Sequence, residues 1–158
     1  MRQRTNRQVR LKSRPSGIPQ AKLQAHRGSK PPSNPFVELV GFVFEPAPAS
    51  ESVCRLRVGP EHLNPNRVVH GAVLYAMADT GMGDALHPTL ESAEMCATIE
   101  IKMTYFKAVS SGEILCRTRL INRGKRVAYL ESSLFAGEAL IAKASGSYAI
   151  FRPTQRAL

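Results

Sequence analysis

The stretch Asn64-Pro65-Asn66-Arg67-Val68-Val69-His70-Gly71 leads straight into an apolar run in which one carboxylate, Asp79, stands among alanine, leucine and methionine. An isolated acid there is costly to bury unless it is hydrogen-bonded or has a chemical task. In a partly dry site a carboxylate can take a proton from water or attack an activated carbonyl. A helix N-terminus supplies the complementary group, an unpaired N–H with positive dipole character. Plain structural readings stand beside these. Asp79 can lie on a wet stripe or cap a backbone group, His70-Gly71 can be a helix-start turn, and Asn64 can be a loop residue. The common catalytic signatures are missing: there is no GxSxG, no P-loop, no GxGxxG after a strand and no HExxH. The four histidines, at 26, 62, 70 and 87, follow no metal-ligand spacing. Neither a metal nor a cofactor is therefore expected, and Cys96 has no evident partner base that would make it a nucleophile.

The elements that must position these residues read as α+β. Phe36–Glu45 and Ser52–Val58 are rich in β-branched and aromatic residues, with a turn at Pro46–Ser50. Val68 to His87 predicts a helix by its length and its Ala/Leu/Met content. Being apolar all round, it predicts a helix buried at the domain centre. Gly81 and Gly83 mark close packing or an early helix end, and Pro88 sets the outer limit. Met95–Lys107 alternates, with Ile99, Ile101 and Met103 on one face and Thr98, Glu100, Lys102 and Thr104 on the other. Glu113–Asn122, Arg126–Ala136 and Ala139–Phe151 complete an expected meander. Its hairpin turns fall at Ser110–Gly112, Asn122–Lys125 and Ala136–Glu138.

Charge divides the chain. Of 158 residues, 22 are Lys or Arg and 12 are Asp or Glu, a formal net charge of +10. Nine of the basic residues and none of the acidic ones fall in residues 1–35, with five of the eleven prolines. The remainder holds 13 basic and 12 acidic groups, a net of +1. Residues 1–35 thus read as a tail, 36–151 as one domain and 152–158 as a short C-terminal extension. The tail is expected to be disordered, because it has too little apolar surface to offset its ordering entropy. It is compatible with a solvated extension, an organelle transit peptide, or an arm for nucleic acid or anionic membrane. It has no interleaved aromatic residue for base stacking, so no specific nucleic-acid partner is expected. No apolar run reaches about 18 residues, which excludes a membrane-spanning helix. Cys54, Cys96 and Cys116 form no disulfide framework, which points to a cytoplasm-like compartment.

The run HGAVLYAMAD, with Asn64 six residues before its histidine and Asp79 nine after, resembles the HGG…D segment of hotdog-fold acyl-CoA thioesterases, nearest the PaaI-like branch. The later TIEIKMTYFKAVSSGEI is similar to that family's next strand and hairpin, and the resemblance covers about residues 36–151. Ala72 departs from it, standing where a second glycine is common. The resemblance implies a sheet wrapped around a long central helix, a dimer or dimer of dimers, and hydrolysis of an acyl- or aryl-CoA. Asp79 is then the general base or nucleophile, and the Gly71 N–H polarises the thioester carbonyl. Asn64 orients water or that carbonyl, Thr98 helps position the water, and His70 orients the loop or substrate. Lys107, Lys125 and Arg126 are candidates for contacting the coenzyme A phosphates. Tyr75, Met77, Met82 and Phe106 are candidates for setting acyl length. Eight residues of helix separate Gly71 from Asp79, roughly 12 Å at 1.5 Å per residue. The two cannot serve one carbonyl within one chain, so a shared site in a homo-oligomer is expected. The rival readings are a non-catalytic acyl-CoA sensor on the same fold and a hydratase, although His70 and Asp79 do not form a hydratase's acid–base pair locally.

Overall fold

The computed structural model describes residues 34–153; the basic tail expected over 1–35 lies almost wholly outside them, as does most of 152–158. The described chain forms helix α1 (Pro35–Val40), strands β1 (Val43–Glu45) and β2 (Glu51–Arg57), helix α2 (Gly71–Leu86), and strands β3 (Met95–Tyr105), β4 (Glu113–Arg123), β5 (Val127–Ala136) and β6 (Ala139–Phe151). All six strands are antiparallel in one sheet, in the order β1-β2-β4-β5-β6-β3. The sheet curls around α2, the α+β hotdog arrangement. No helix among the described residues is long and apolar enough to cross a membrane.

Four sequence expectations are corrected. The strand over Phe36–Glu45 is a short helix followed by a three-residue strand. Local capping outweighs β propensity here. The Asn34 side chain accepts from the Val37 N–H at 3.2 Å, Pro35 occupies a position where its missing N–H costs nothing, and Gly41 ends the helix at φ 84°. The meander is also only partial. β3 pairs with β6, while β4 lies between β2 and β5, so Ser110–Gly112 carries a crossover rather than a hairpin. Gly112 docks this crossover by accepting from the Val58 N–H at 2.9 Å. β4, β5 and β6 are joined by hairpins as expected.

The third correction concerns β3. Its register on β6 shifts between Thr98 and Glu100, leaving Ile99 without a partner. The bulge breaks the expected alternation. Ile101 and Met103 pack on the core, but Ile99 is exposed, and Thr98 faces the helix rather than sharing the polar face of Glu100 and Lys102.

α2 starts at Gly71 rather than Val68, because Val69 is held in extended backbone opposite Leu63 and donates to the Val109 carbonyl at 2.7 Å. Neither glycine ends it. Leu74, Met77, Ala78, Met82, Ala85 and Leu86 face the sheet and are buried with Leu56, Ile114, Leu130 and Leu134. Gly81 permits the close approach: a Cβ there would stand 2.8 Å from Thr118 Oγ1 and 3.2 Å from Ser52 Oγ. The opposite face, with Ala72, Tyr75, Asp79 and Gly83, is exposed or half-exposed in the single chain.

Candidate active site

The segment before α2 is folded by its own polar groups. Asn64 Oδ1 accepts from the Asn66 N–H at 2.9 Å and the Val68 N–H at 3.4 Å, and the Asn64 carbonyl accepts from Arg67 at 2.8 Å. The side-chain amide nitrogen of Asn64 makes no hydrogen bond among the described residues, so it remains a donor for a ligand. His62 anchors the loop from below. It is buried; Nδ1 accepts from the Gly59 N–H and Nε2–H donates to the Val40 carbonyl, both at 2.8 Å. This histidine is structural.

His70 caps α2, its Nδ1 accepting from the Ala72 N–H at 3.0 Å, while its carbonyl takes the Val73 N–H at 2.9 Å. The Gly71 N–H, just ahead of these two, carries no hydrogen bond among the described residues. One orphan donor is therefore left at the positive end of the helix. Tyr105 lies over it, donating to the Gly71 carbonyl at 3.1 Å. Burial pushes the Tyr105 phenol above its ordinary pKa, with the nearby Tyr75 adding to this, so it stays a donor. Beside Gly71 is an open cavity of about 310 Å³, lined by Val68, Leu74, Tyr105, Phe106 and Lys107 among others. That volume is at the lower end for a small-molecule site.

Asp79, two turns along the helix, is half-buried. Its Oδ1 accepts from Thr98 Oγ1 at 2.8 Å and from Tyr148 Oη at 2.5 Å. The Tyr148 hydroxyl also lies 2.8 Å from the Asp79 backbone carbonyl. Burial, reinforced by its hydrogen bond to Asp79, pushes the Tyr148 phenol far above the ordinary tyrosine range. Thr98 is brought to Asp79 by the β3 bulge.

The structure thus joins Asp79 to Thr98, and it gathers Asn64, His70 and Gly71 at the other end of the same helix. Lys107 belongs to the Gly71 end, its N–H on the Ile141 carbonyl. Lys125 and Arg126 sit in the β4–β5 turn, where the Arg126 carbonyl accepts from Ile150. Nine residues of β6 separate those two attachment points, about 30 Å at 3.3 Å per residue, so the three cations are not one cluster in a single chain. Met77 and Met82 are fully buried against the sheet and do not border the cavity; Phe106 does, and Tyr75 is exposed. Among the described residues no group of three or more His, Cys, Asp or Glu side chains could hold a metal ion.

Sequence reasoning missed Tyr148 and Tyr105. A signal existed for Tyr148: it follows Ala144 and Gly146 on the inward face of β6, the one polar-tipped side chain in that series.

Comparison with known proteins bears on this geometry. Residues 66–142 match the sequence model of the thioesterase superfamily. The chain is 30% identical over 118 residues to the Pseudomonas aeruginosa protein "Putative esterase PA0474", covering 73% of this chain and 88% of that protein. Conserved protein PA5202 of the same organism superposes with a TM-score of 0.72 at 25% identity, covering 85% of this chain and 100% of that one. An Asn-to-Asp variant of the phenylacetic acid degradation protein PaaI from Thermus thermophilus superposes with a TM-score of 0.69. It is 24% identical, covering 73% of this chain and 98% of that one, a likeness of fold.

Proposed function

Because this chain belongs to the thioesterase superfamily and is a thioester hydrolase, we propose that its substrate is an acyl- or aryl-CoA, cleaved at Asp79 and Gly71. The observation that carries the reading is the pairing, on one helix, of a hydroxyl-held carboxylate with an unpaired backbone N–H. Asp79 acts as general base or as nucleophile. As base, it takes a proton from water while the water oxygen bonds to the carbonyl carbon. The carbonyl oxygen gains negative charge beside the Gly71 N–H. The C–S bond then breaks, and the proton ends on the coenzyme A sulfur. Asn64 orients water or the carbonyl through its uncommitted amide, and His70 holds the loop that presents Gly71.

The reading requires a second copy, since Gly71 and Asp79 are roughly 12 Å apart along one helix. The free edge of β3 supports one: it is eleven residues long, and Met95, Ile99, Tyr105 and Phe106 are large exposed apolar side chains on or beside it. Such an edge is a template for pairing. Tyr105 touches Gly71 and Thr98 touches Asp79. Antiparallel pairing about a two-fold axis between Ile101 and Lys102 would set Tyr105 of one copy against Thr98 of the other. Gly71 of each copy would thereby approach Asp79 of its partner, and Lys107 would come to the end that carries the partner's Lys125 and Arg126. The assembly is a homodimer, or a tetramer of two such dimers, with shared sites.

The test is hydrolysis of phenylacetyl-CoA, hexanoyl-CoA and palmitoyl-CoA, followed by release of free thiol. The protein should turn over at least one. Asp79→Asn and Asp79→Ala should lose about a thousandfold in kcat or more while keeping the oligomer intact by light scattering. Near-normal turnover in either variant would remove Asp79 from the mechanism, and calorimetric binding without turnover in the unaltered protein would make the domain a sensor.

A further inference from the structure

Both hydroxyl contacts at Asp79 fall on the same oxygen. Oδ1 takes Thr98 at 2.8 Å and Tyr148 at 2.5 Å, and Oδ2 has no hydrogen bond among the described residues. We propose that Tyr148 is a positioning residue, which with Thr98 fixes Oδ1 toward the sheet and leaves Oδ2 as the oxygen that meets water or substrate. This rests on the reading that Asp79 acts in hydrolysis.

The geometry has the features such a role needs. Tyr148 is 3% exposed, so its ring is held by the core and its hydroxyl has little freedom. The hydroxyl contacts both the side chain of Asp79 and, at 2.8 Å, its backbone carbonyl. It therefore relates the carboxylate to the helix main chain, and Thr98 adds a second fixed point from another strand. Two donors on one oxygen stop the carboxylate from exchanging its oxygens by rotation about the bond that carries it.

The surroundings make these donors the electrostatic support of the charged carboxylate. β6 presents Tyr148, and β3 presents Thr98 and Cys96. Burial pushes the Cys96 thiol upward, so it is neutral at working pH. Further along α2, Asp84 is also shifted upward by desolvation, with His87 opposing. No Lys, Arg or His forms an ion pair with Asp79 among the described residues.

Tyr148→Phe in the full chain tests the proposal, because it deletes one oxygen and leaves the ring. With whichever of the three CoA esters the unaltered protein hydrolyses best, kcat should fall about tenfold, in keeping with the loss of one hydrogen bond to a charge, and KM should stay within about twofold. Thr98→Val, which removes the other donor, should likewise lower kcat with KM held within about twofold. Unchanged kcat in Tyr148→Phe, or a change that falls on KM instead, would overturn the role. If Tyr148→Phe does not fold, unchanged kcat in Thr98→Val overturns the division between the oxygens. These failures are distinct from failure of the underlying reading, which an active Asp79→Asn would signal.

Discussion

The two ends of the working stretch of α2 are made of different material. At Gly71 the group on offer belongs to the backbone, left open because His70 takes up the next two N–H groups, Ala72 through its ring and Val73 through its carbonyl. At Asp79 the group is a side chain, held by hydroxyls from two strands that are distant in sequence. The donor end is thus a property of where a helix begins, and contiguous residues 64–71 specify most of it. The acid end depends on tertiary structure. It needs the β3 bulge, the pairing of Thr98 with Tyr148 across β3 and β6, and a helix lying close on the sheet. A backbone donor can be blocked only by changing the backbone, whereas the acid end can be weakened one side chain at a time.

The sharpest test of this contrast is Gly71→Pro. Proline is well suited to the first position of a helix, where its missing N–H breaks no intrahelical bond. The preceding residue, His70, already has φ −63° and ψ 133°, the extended conformation proline demands of its predecessor. The substitution should therefore delete the orphan donor and keep the helix. Loss of one such donor costs about 10²–10³ in kcat. Far-ultraviolet circular dichroism should be unchanged, and Gly71→Ala, which keeps the N–H, should retain most of the rate. Full activity in Gly71→Pro would mean that the donor end is only a helix start.

Mixing variants tests whether the two ends meet across subunits. Gly71→Pro and Asp79→Asn are each inactive by this reasoning, and unfolding and refolding them together yields hybrid dimers. In a hybrid, one site combines both defects and the other combines two intact ends. With random pairing, half the dimers are hybrids with one working site of two, so the mixture should recover about a quarter of normal activity. No recovery despite demonstrated hybrids would place both ends in the service of one chain.

The same contrast explains what could be read from the residues alone. The segment from Asn64 to Asp79 is contiguous, its capping and helical period are local, and its orphan N–H follows from the helix start. Thr98 was legible only through a family resemblance, since simple alternation puts it on the polar face and a bulge is not written in the alternation. Tyr148 stands apart from the contiguous segment, because its partner lies 69 positions away and only the β3–β6 pairing unites them. The turns alone suggest a meander instead, for a strand's neighbour is set by long-range packing rather than by its nearest turn. In α1, Phe36–Val40 looks like a strand by composition, yet the caps at Asn34 and Gly41 decide otherwise.

The smallest expected effect compares the two glycines that lie under close contacts. A methyl at Gly81 would meet Thr118 Oγ1 at 2.8 Å, and that buried hydroxyl is itself 2.7 Å from Ser132 Oγ. Neither partner is the free end of a flexible chain, so the helix must lift or the hydroxyl pair must separate. Overpacking of this kind costs about 1–3 kcal/mol, and the gain in helix propensity returns about 1 kcal/mol. Gly81→Ala should therefore lose about 1 kcal/mol of stability, read from the midpoint of urea unfolding. A methyl at Gly71 would meet the Tyr105 ring at 3.2 Å, but that side chain is half-exposed and can turn aside. Gly71→Ala should stay within about 0.5 kcal/mol. Equal effects at the two positions would mean that the acid end is no more dependent on close helix–sheet packing than the donor end, and that Asp79 is placed by its hydroxyl partners alone.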